Sequence, residues 1–213
     1  MDAKEKIARR VALELEDGQL VNLGIGLPTM VANYLPAGVD VILQSENGMT
    51  GLTGLVPGKE DPHITNAGGA MVGITDKGAF FDSSMSFALI RGGHVDVTVL
   101  GTLEVDQYGN IANYKIPGKL VPGMGGAMDL VTGARKVIVS MVHTAKGTPK
   151  ILKECQLPLT GQACVDMIVT ELAVFEVKQD HLLLIEVAEE SNVEEVLSLT
   201  EARVVLADEI KRF

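Results

Sequence analysis

The chain has 213 residues, 46% of them hydrophobic, with 23 glycines, no tryptophan and a formal net charge of −10, a globular composition sized for one α/β domain. That acidity argues against a nucleic-acid or anionic-membrane partner, since either needs a basic surface to release counterions or approach lipid. Cys155 and Cys164 are too few for a disulfide scaffold and lack zinc-site spacing, and neither a signal core nor a run of about 18 apolar residues is visible, so a cytoplasmic protein without a metal is expected.

In chain order, Asp2 and Glu5 have capping-box spacing, and Ile7, Val11 and Leu15 line one face of a first helix that stops before Gly18. Residues 19–24 read as a strand, Gly24-Ile25-Gly26-Leu27-Pro28 as a turn, and 28–35 as a helix opened by proline. A strand over 40–44 then delivers Glu46 just past its C-terminal end. Asp82 is a plausible N-cap for a helix over 83–91, which Gly92-Gly93 stop before a strand over 95–100, giving a βαβ rhythm. Gln107-Tyr108-Gly109-Asn110 reads as a hairpin or loop, 119–129 as a glycine-rich loop entering a short helix, and 137–141 as a buried strand. Runs over 167–177 and 181–187 look like an antiparallel pair, followed by a short helix near 193–199. The expected fold is a single α/β domain over 1–213, a mostly parallel open sheet with helices on both faces and an antiparallel addition.

Charge is unevenly spread. Between residues 107 and 153, Lys115, Lys119, Arg135, Lys136, Lys146, Lys150 and Lys153 face one acid, Asp129, so an anionic ligand could be met locally, although such a stretch is also what a solvated face looks like.

Ligands of open α/β sheets gather beyond the carboxyl ends of the strands. Three such places stand out: 22–28, 45–48 and Gly123-Met124-Gly125-Gly126-Ala127-Met128. Gly24-Ile25-Gly26 is not a dinucleotide fingerprint, because its third glycine would fall on Thr29, and no glycine-rich stretch ends as a phosphate-binding P-loop does. Tight turns with exposed backbone amides remain, suited to close approach of a ligand or an oxyanion. His63, His94, His143 and His181 are scattered without metal-ligand spacing. Glu46, flanked by Ser45, Asn47 and Gly48, has the composition of a solvated turn. At a strand end such a carboxylate serves as nucleophile, general base or metal ligand, and local spacing does not rank these.

Several ordered motifs narrow the choice. Val21-Asn22-Leu23-Gly24-Ile25-Gly26-Leu27-Pro28-Thr29, Gln44-Ser45-Glu46-Asn47-Gly48, Asn66-Ala67-Gly68, the stretch from Phe87 to Asp96, Ile116-Pro117-Gly118-Lys119, the stretch from Gly123 to Leu130, and Leu157-Pro158-Leu159-Thr160 together resemble the B subunit, or C-terminal half, of 3-oxoacid CoA-transferases. The resemblance implies a CoA-transferase fold, a glutamate nucleophile at Glu46, and ping-pong transfer of CoA between a short-chain acyl-CoA and a carboxylate such as acetoacetate through a glutamyl-CoA thioester. It also implies oxyanion or orienting roles for Asn22 and for the amides of Gly126 and Ala127. Contacts to CoA or acyl group would fall on Gly24, Gly26, Asn47, Gly48, Gly125 and Lys119. CoA is then a substrate, no cofactor is tightly bound, and an A subunit completes the site in an A₂B₂ assembly. The pattern departs at Gly69, where animal members carry a lysine after Asn-Ala-Gly, so another cation, Lys119 or one from the partner, must meet CoA. Two other readings are a ribose-5-phosphate isomerase-like enzyme with Glu46 as base, and a non-catalytic acyl-CoA-binding subunit.

Overall fold

The computed structural model describes residues 1–55, 57–58, 60–119, 121 and 123–213. The first helix, α1 (Ala3–Ala12), buries Ile7 and Val11 completely, as their spacing predicts, whereas Leu15 is buried beyond the helix end. The expected cap is absent: Asp2 occupies the N-cap position without a side-chain hydrogen bond. Strand β1 (Leu20–Leu23) leads into a 3₁₀ helix (Leu27–Tyr34), where the sequence suggested an α-helix. A short apolar pattern with proline in its first turn suits either helix type, so periodicity alone does not separate them.

Strand β2 (Ile42–Ser45) turns back at once into β3 (Met49–Thr53), which pairs antiparallel with β4 (Gly73–Phe80). The βαβ rhythm resumes with α2 (Ser83–Arg91), whose N-cap Asp82 accepts a bond from the Met85 amide at 2.8 Å, and β5 (Val97–Leu100). β6 (Glu104–Asp106) and β7 (Ile111–Ala112) form the expected hairpin, turned at Asp106, whose carboxylate accepts from the amides of Tyr108 and Asn110. The glycine-rich loop expected over 119–129 falls partly outside the described residues, at 120 and 122, and its far end opens α3 (Ala127–Gly133).

β8 (Lys136–Ser140) is the next parallel strand, followed by the ribbon of β9 (Thr144–Ala145) with β10 (Thr148–Pro149), and by β11 (Ile151–Leu152) beside β6. The run 167–177 is not one strand but two, β12 (Met167–Val169) and β13 (Ala173–Val177), and β14 (Leu182–Val187) pairs antiparallel with the latter. After α4 (Val193–Ser198) comes an unanticipated strand, β15 (Val204–Arg212), parallel to β14.

The main sheet has ten strands in the order β15, β14, β13, β12, β8, β5, β1, β2, β3, β4. Its middle, from β12 to β2, is wholly parallel, and antiparallel strands flank it on both sides rather than on one. Val21, Val97, Val99 and Ile138 pack on one face with Ile7 and Val11 of α1 and Val31 of the 3₁₀ helix. Leu100, Val137 and Val139 pack on the other with Ile90 of α2, Leu130 of α3 and Val196 of α4. This alternation is that of a sheet buried on both faces, so the expected two-sided α/β fold is what forms.

Candidate active site

Glu46 occupies the turn between β2 and β3, where Ser45 pairs with Met49 and the Gly48 amide donates to the Ser45 carbonyl at 3.0 Å. The turn needs glycine at its third residue. Gly48 has φ 126°, a conformation L side chains rarely adopt, and a Cβ there would collide with the Phe81 carbonyl. The Phe81 amide in turn donates to the Gly48 carbonyl at 2.9 Å, which ties the turn to the segment entering α2. On either side of Glu46, Ser45 Oγ accepts from the Ala67 amide at 2.9 Å, and the exposed Asn47 donates through Nδ2 to the Thr65 carbonyl at 2.7 Å. These bonds draw the loop containing Asn66-Ala67-Gly68 over the turn.

The half-buried Glu46 side chain has two close neighbours. Asn22, at 1% exposure, donates through Nδ2 to Glu46 Oε2 at 3.3 Å and also to Gln44 Oε1 at 2.7 Å. On another side lies Gly126, where an added Cβ would stand 3.1 Å from Glu46 Cγ and 3.4 Å from Phe87 Cζ. Bare backbone is therefore what lets the glycine-rich turn lie against the nucleophile candidate.

Two clefts open on Glu46. One, of about 840 Å³, runs between the Gly24-Ile25-Gly26 turn, the loop over 66–68 and strands β3 and β4, and reaches Lys77. The other, of about 600 Å³, lies under the glycine-rich turn and is walled by Leu100, Leu103, Asn113, Met124 and Leu130. Glu46, Gly24, Ile25 and Ala67 line both. A carboxylate at the meeting point of two clefts can be approached by two different reactant groups.

Strand-end reasoning thus brings together Asn22, Gly24, Glu46, Gly125, Gly126 and Ala127, and Gly26 lines the larger cleft. Asn47 and Gly48 shape the turn, while Lys119 is exposed and lines neither cleft. The Ala127 amide donates to the Met124 carbonyl at 3.0 Å, whereas the Gly126 amide donates to no acceptor among the described residues. Gln44, Ser86, Ala67 and Lys77 carry no role in the sequence reading, although Gln44 and Ala67 stand in its motifs. The first two are single polar residues in a strand and a helix that touch only through the fold: Gln44 Nε2 donates to Ser86 Oγ at 3.0 Å. Neither cysteine supplies a second nucleophile near neutral pH. Burial, reinforced by Asp106, pushes the Cys155 thiol up, and burial pushes that of Cys164 up to about 11.

Comparison with known proteins shows which family the chain belongs to. The profile of the coenzyme A transferase family matches residues 4–199. The chain is 58% identical over 212 residues to the beta chain of acetate CoA-transferase from Haemophilus influenzae, covering 99% of this chain and 95% of that one. It is 49% identical over 202 residues to the B chain of succinyl-CoA:3-ketoacid coenzyme A transferase from Helicobacter pylori, covering 93% and 97%. An acyl-CoA transferase of Escherichia coli O157:H7 superposes as apoenzyme with TM-score 0.81 at 27% identity, covering all 100% of this chain but only 43% of the longer one. The same protein in a thioester complex with CoA gives TM-score 0.73 at 26% identity, with the same 100% and 43% coverage.

Proposed function

Because the chain belongs to the coenzyme A transferase family and is an enzyme of that kind, we propose that it moves CoA between a short-chain acyl-CoA and a carboxylate such as acetoacetate, with Glu46 as the nucleophile. The observation that carries this reading is the placement of Glu46 where two clefts meet, with the Asn22 amide 3.3 Å from its carboxylate and Gly126 against its side chain.

In the proposed cycle the ionised Glu46 attacks the acyl carbon of the thioester, and the tetrahedral oxyanion collapses by expelling CoA thiolate to leave a mixed anhydride. The thiolate then attacks Cδ of Glu46, expels the first carboxylate and forms a glutamyl-CoA thioester. A second carboxylate attacks that thioester and reverses the two steps, so the thioester bond is conserved and no ATP is consumed. Each tetrahedral stage places negative charge on an oxygen beside Glu46, where preorganised donors contribute most. Asn22 Nδ2 and the Gly126 amide are the donors the proposal relies on, and the Ala127 amide would first have to leave Met124. Water must be kept from the anhydride, which is the purpose of a closed site.

A partner resembling the A subunit is part of the proposal, because the relatives are named as beta or B subunits, and an A₂B₂ complex acting in the cytoplasm is the assembly proposed. The partner would supply cations for CoA beyond Lys77, which lines the larger cleft. With the partner present, Glu46→Gln is expected to lower acetoacetate-dependent CoA transfer by about four orders of magnitude. Transfer retained within about tenfold of wild type would defeat the assignment.

A further inference from the structure

Behind Glu46 the sheet carries a row of polar side chains where apolar ones would be expected. Asn22 is in register with Gln44 on β2 and with Thr98 on β5. These positions alternate with Val21, Val97 and Val99, which pack against α1, so the row points toward α2. Asn22 is 1% exposed, Gln44 3% and Ser86 on α2 0%. Polar groups buried this deeply destabilise the fold unless each finds a partner, and a partly satisfied network is costlier than an apolar core. The bonds of the row form one chain from Ser86 to Glu46, while Thr98 Oγ1 is buried without a partner among the described residues. Ser86 Oγ accepts from Gln44 Nε2 at 3.0 Å, Gln44 Oε1 accepts from Asn22 Nδ2 at 2.7 Å, and Asn22 Nδ2 reaches Glu46 Oε2 at 3.3 Å.

We propose that Gln44 and Ser86 are positioning residues that lock the Asn22 amide with its N–H donors facing Glu46; the inference rests on the reading of Glu46 as nucleophile. The direction of the chain follows from its fixed members. Asn22 Nδ2 also meets the main-chain carbonyl of Gln44 at 3.3 Å, and neither that carbonyl nor the Glu46 carboxylate can donate. A flipped Asn22 would set its Oδ1 against both acceptors. Gln44 must then present Oε1 to Asn22, which sends its Nε2 to Ser86.

The lengths assign the roles. The short bond, 2.7 Å, goes to Gln44 and the long one, 3.3 Å, to Glu46, so Gln44 rather than the reacting group holds the asparagine. The amide is therefore already oriented when charge develops at the Glu46 centre, and no reorganisation accompanies the reaction. Asn22 Oδ1 is buried without a partner among the described residues, so no bond on that side of the amide helps to hold it, and with the relay broken only the two longer contacts of Nδ2 keep it in place.

The test uses the assembled two-subunit complex and single-turnover formation of the enzyme-bound thioester from acyl-CoA, followed by the mass of the quenched Glu46-bearing chain. Ser86→Ala is expected to slow acylation about tenfold or more while leaving the acyl-CoA dissociation constant within about twofold. Gln44→Met combined with Ser86→Ala distinguishes positioning from packing. Removing both partners of the Gln44–Ser86 bond restores part of the stability lost when only Ser86 is truncated, and Asn22 Nδ2, which loses Gln44 Oε1 in the double variant, keeps the main-chain carbonyl of Gln44 and Glu46 as acceptors. The double variant should recover thermal stability relative to Ser86→Ala yet remain slow. Acylation that recovers together with stability, or a Ser86→Ala complex within about twofold of the wild-type rate, overturns the inference. A wild-type complex that transfers CoA with Glu46 unlabelled overturns the nucleophile reading and this inference with it, a result distinguishable from the others.

Discussion

The proposed nucleophile, Glu46, lies between Asn22, whose amide reaches its carboxylate, and Gly126, which lies against its Cγ. Glu46→Asp keeps the charge and withdraws it by one methylene, so it is expected to lower kcat by about 100-fold with KM little changed, as a misplacement of about 1 Å does. Steady-state kinetics of the complex decide this, and a loss confined to KM would point to a binding role instead. Elsewhere, burial lowers the His143 pKa to about 4, further depressed by Lys150, in a setting where Thr170 and Thr200 bond its two ring nitrogens. The unfolded chain takes up that proton near pH 6.5 and the folded one only near 4, so stability is full above about 6.5 and falls toward 4, by on the order of 3 kcal/mol. Thermal unfolding from pH 7 to 4 should show the fall, and His143→Gln should flatten it. The candidacy of Glu46 comes from the motif that contains it; its local composition names only a turn, which it does occupy. The contact between Gln44 and Ser86 was not legible, since 42 residues separate them and only strand register and the placement of α2 bring them within 3.0 Å.

Among the elements, the β2–β3 turn carries the site most directly. Gly48→Ala would strain φ 126° and crowd the Phe81 carbonyl, so it is expected to cost about 1–3 kcal/mol of stability and to lower activity by shifting Glu46. Chemical denaturation and the acylation rate should fall together. On the opposite face, α1 is fastened to the sheet by charge: buried Arg10 bonds Glu186 at 2.6 and 2.8 Å and Glu14 at 2.8 Å, and Lys136 bonds Glu14 at 2.7 Å. Burial alone would lower the Arg10 pKa, but its two glutamate partners outweigh that and raise it. Arg10→Met takes from Glu186 of β14 both of its bonds and leaves Glu14 with Lys136 alone, and about 3–5 kcal/mol of destabilisation is expected in a urea titration. The parallel middle of the sheet was legible because strands buried on both faces read as continuous apolar runs. β4 and β15 were not, because they are largely exposed and show no clean alternation. The division of 167–177 into two strands falls at Thr170-Glu171, two polar residues in a largely apolar run, where Thr170 Oγ1 accepts from the amides of Leu172 and Ala173 and tightens the turn.

For the whole molecule, a net charge of −10 must be reconciled with a polyanionic substrate. The cleft-lining cation Lys77 stands beside Asp76, so the chain alone offers CoA little attraction and the proposed A-type partner must contribute it. Exposed Ile25, Phe80, Met85 and Met128 are apolar surface such a partner could cover, and the isolated chain is expected to show no transfer until the partner is added. Incubating the assembled complex with acetoacetyl-CoA, reducing it with borohydride and locating the modified side chain by peptide mass spectrometry tests the nucleophile directly. The reduced product is expected on Glu46 and to vanish in the Glu46→Gln complex; an active complex whose Glu46 stays unmodified would contradict the covalent mechanism.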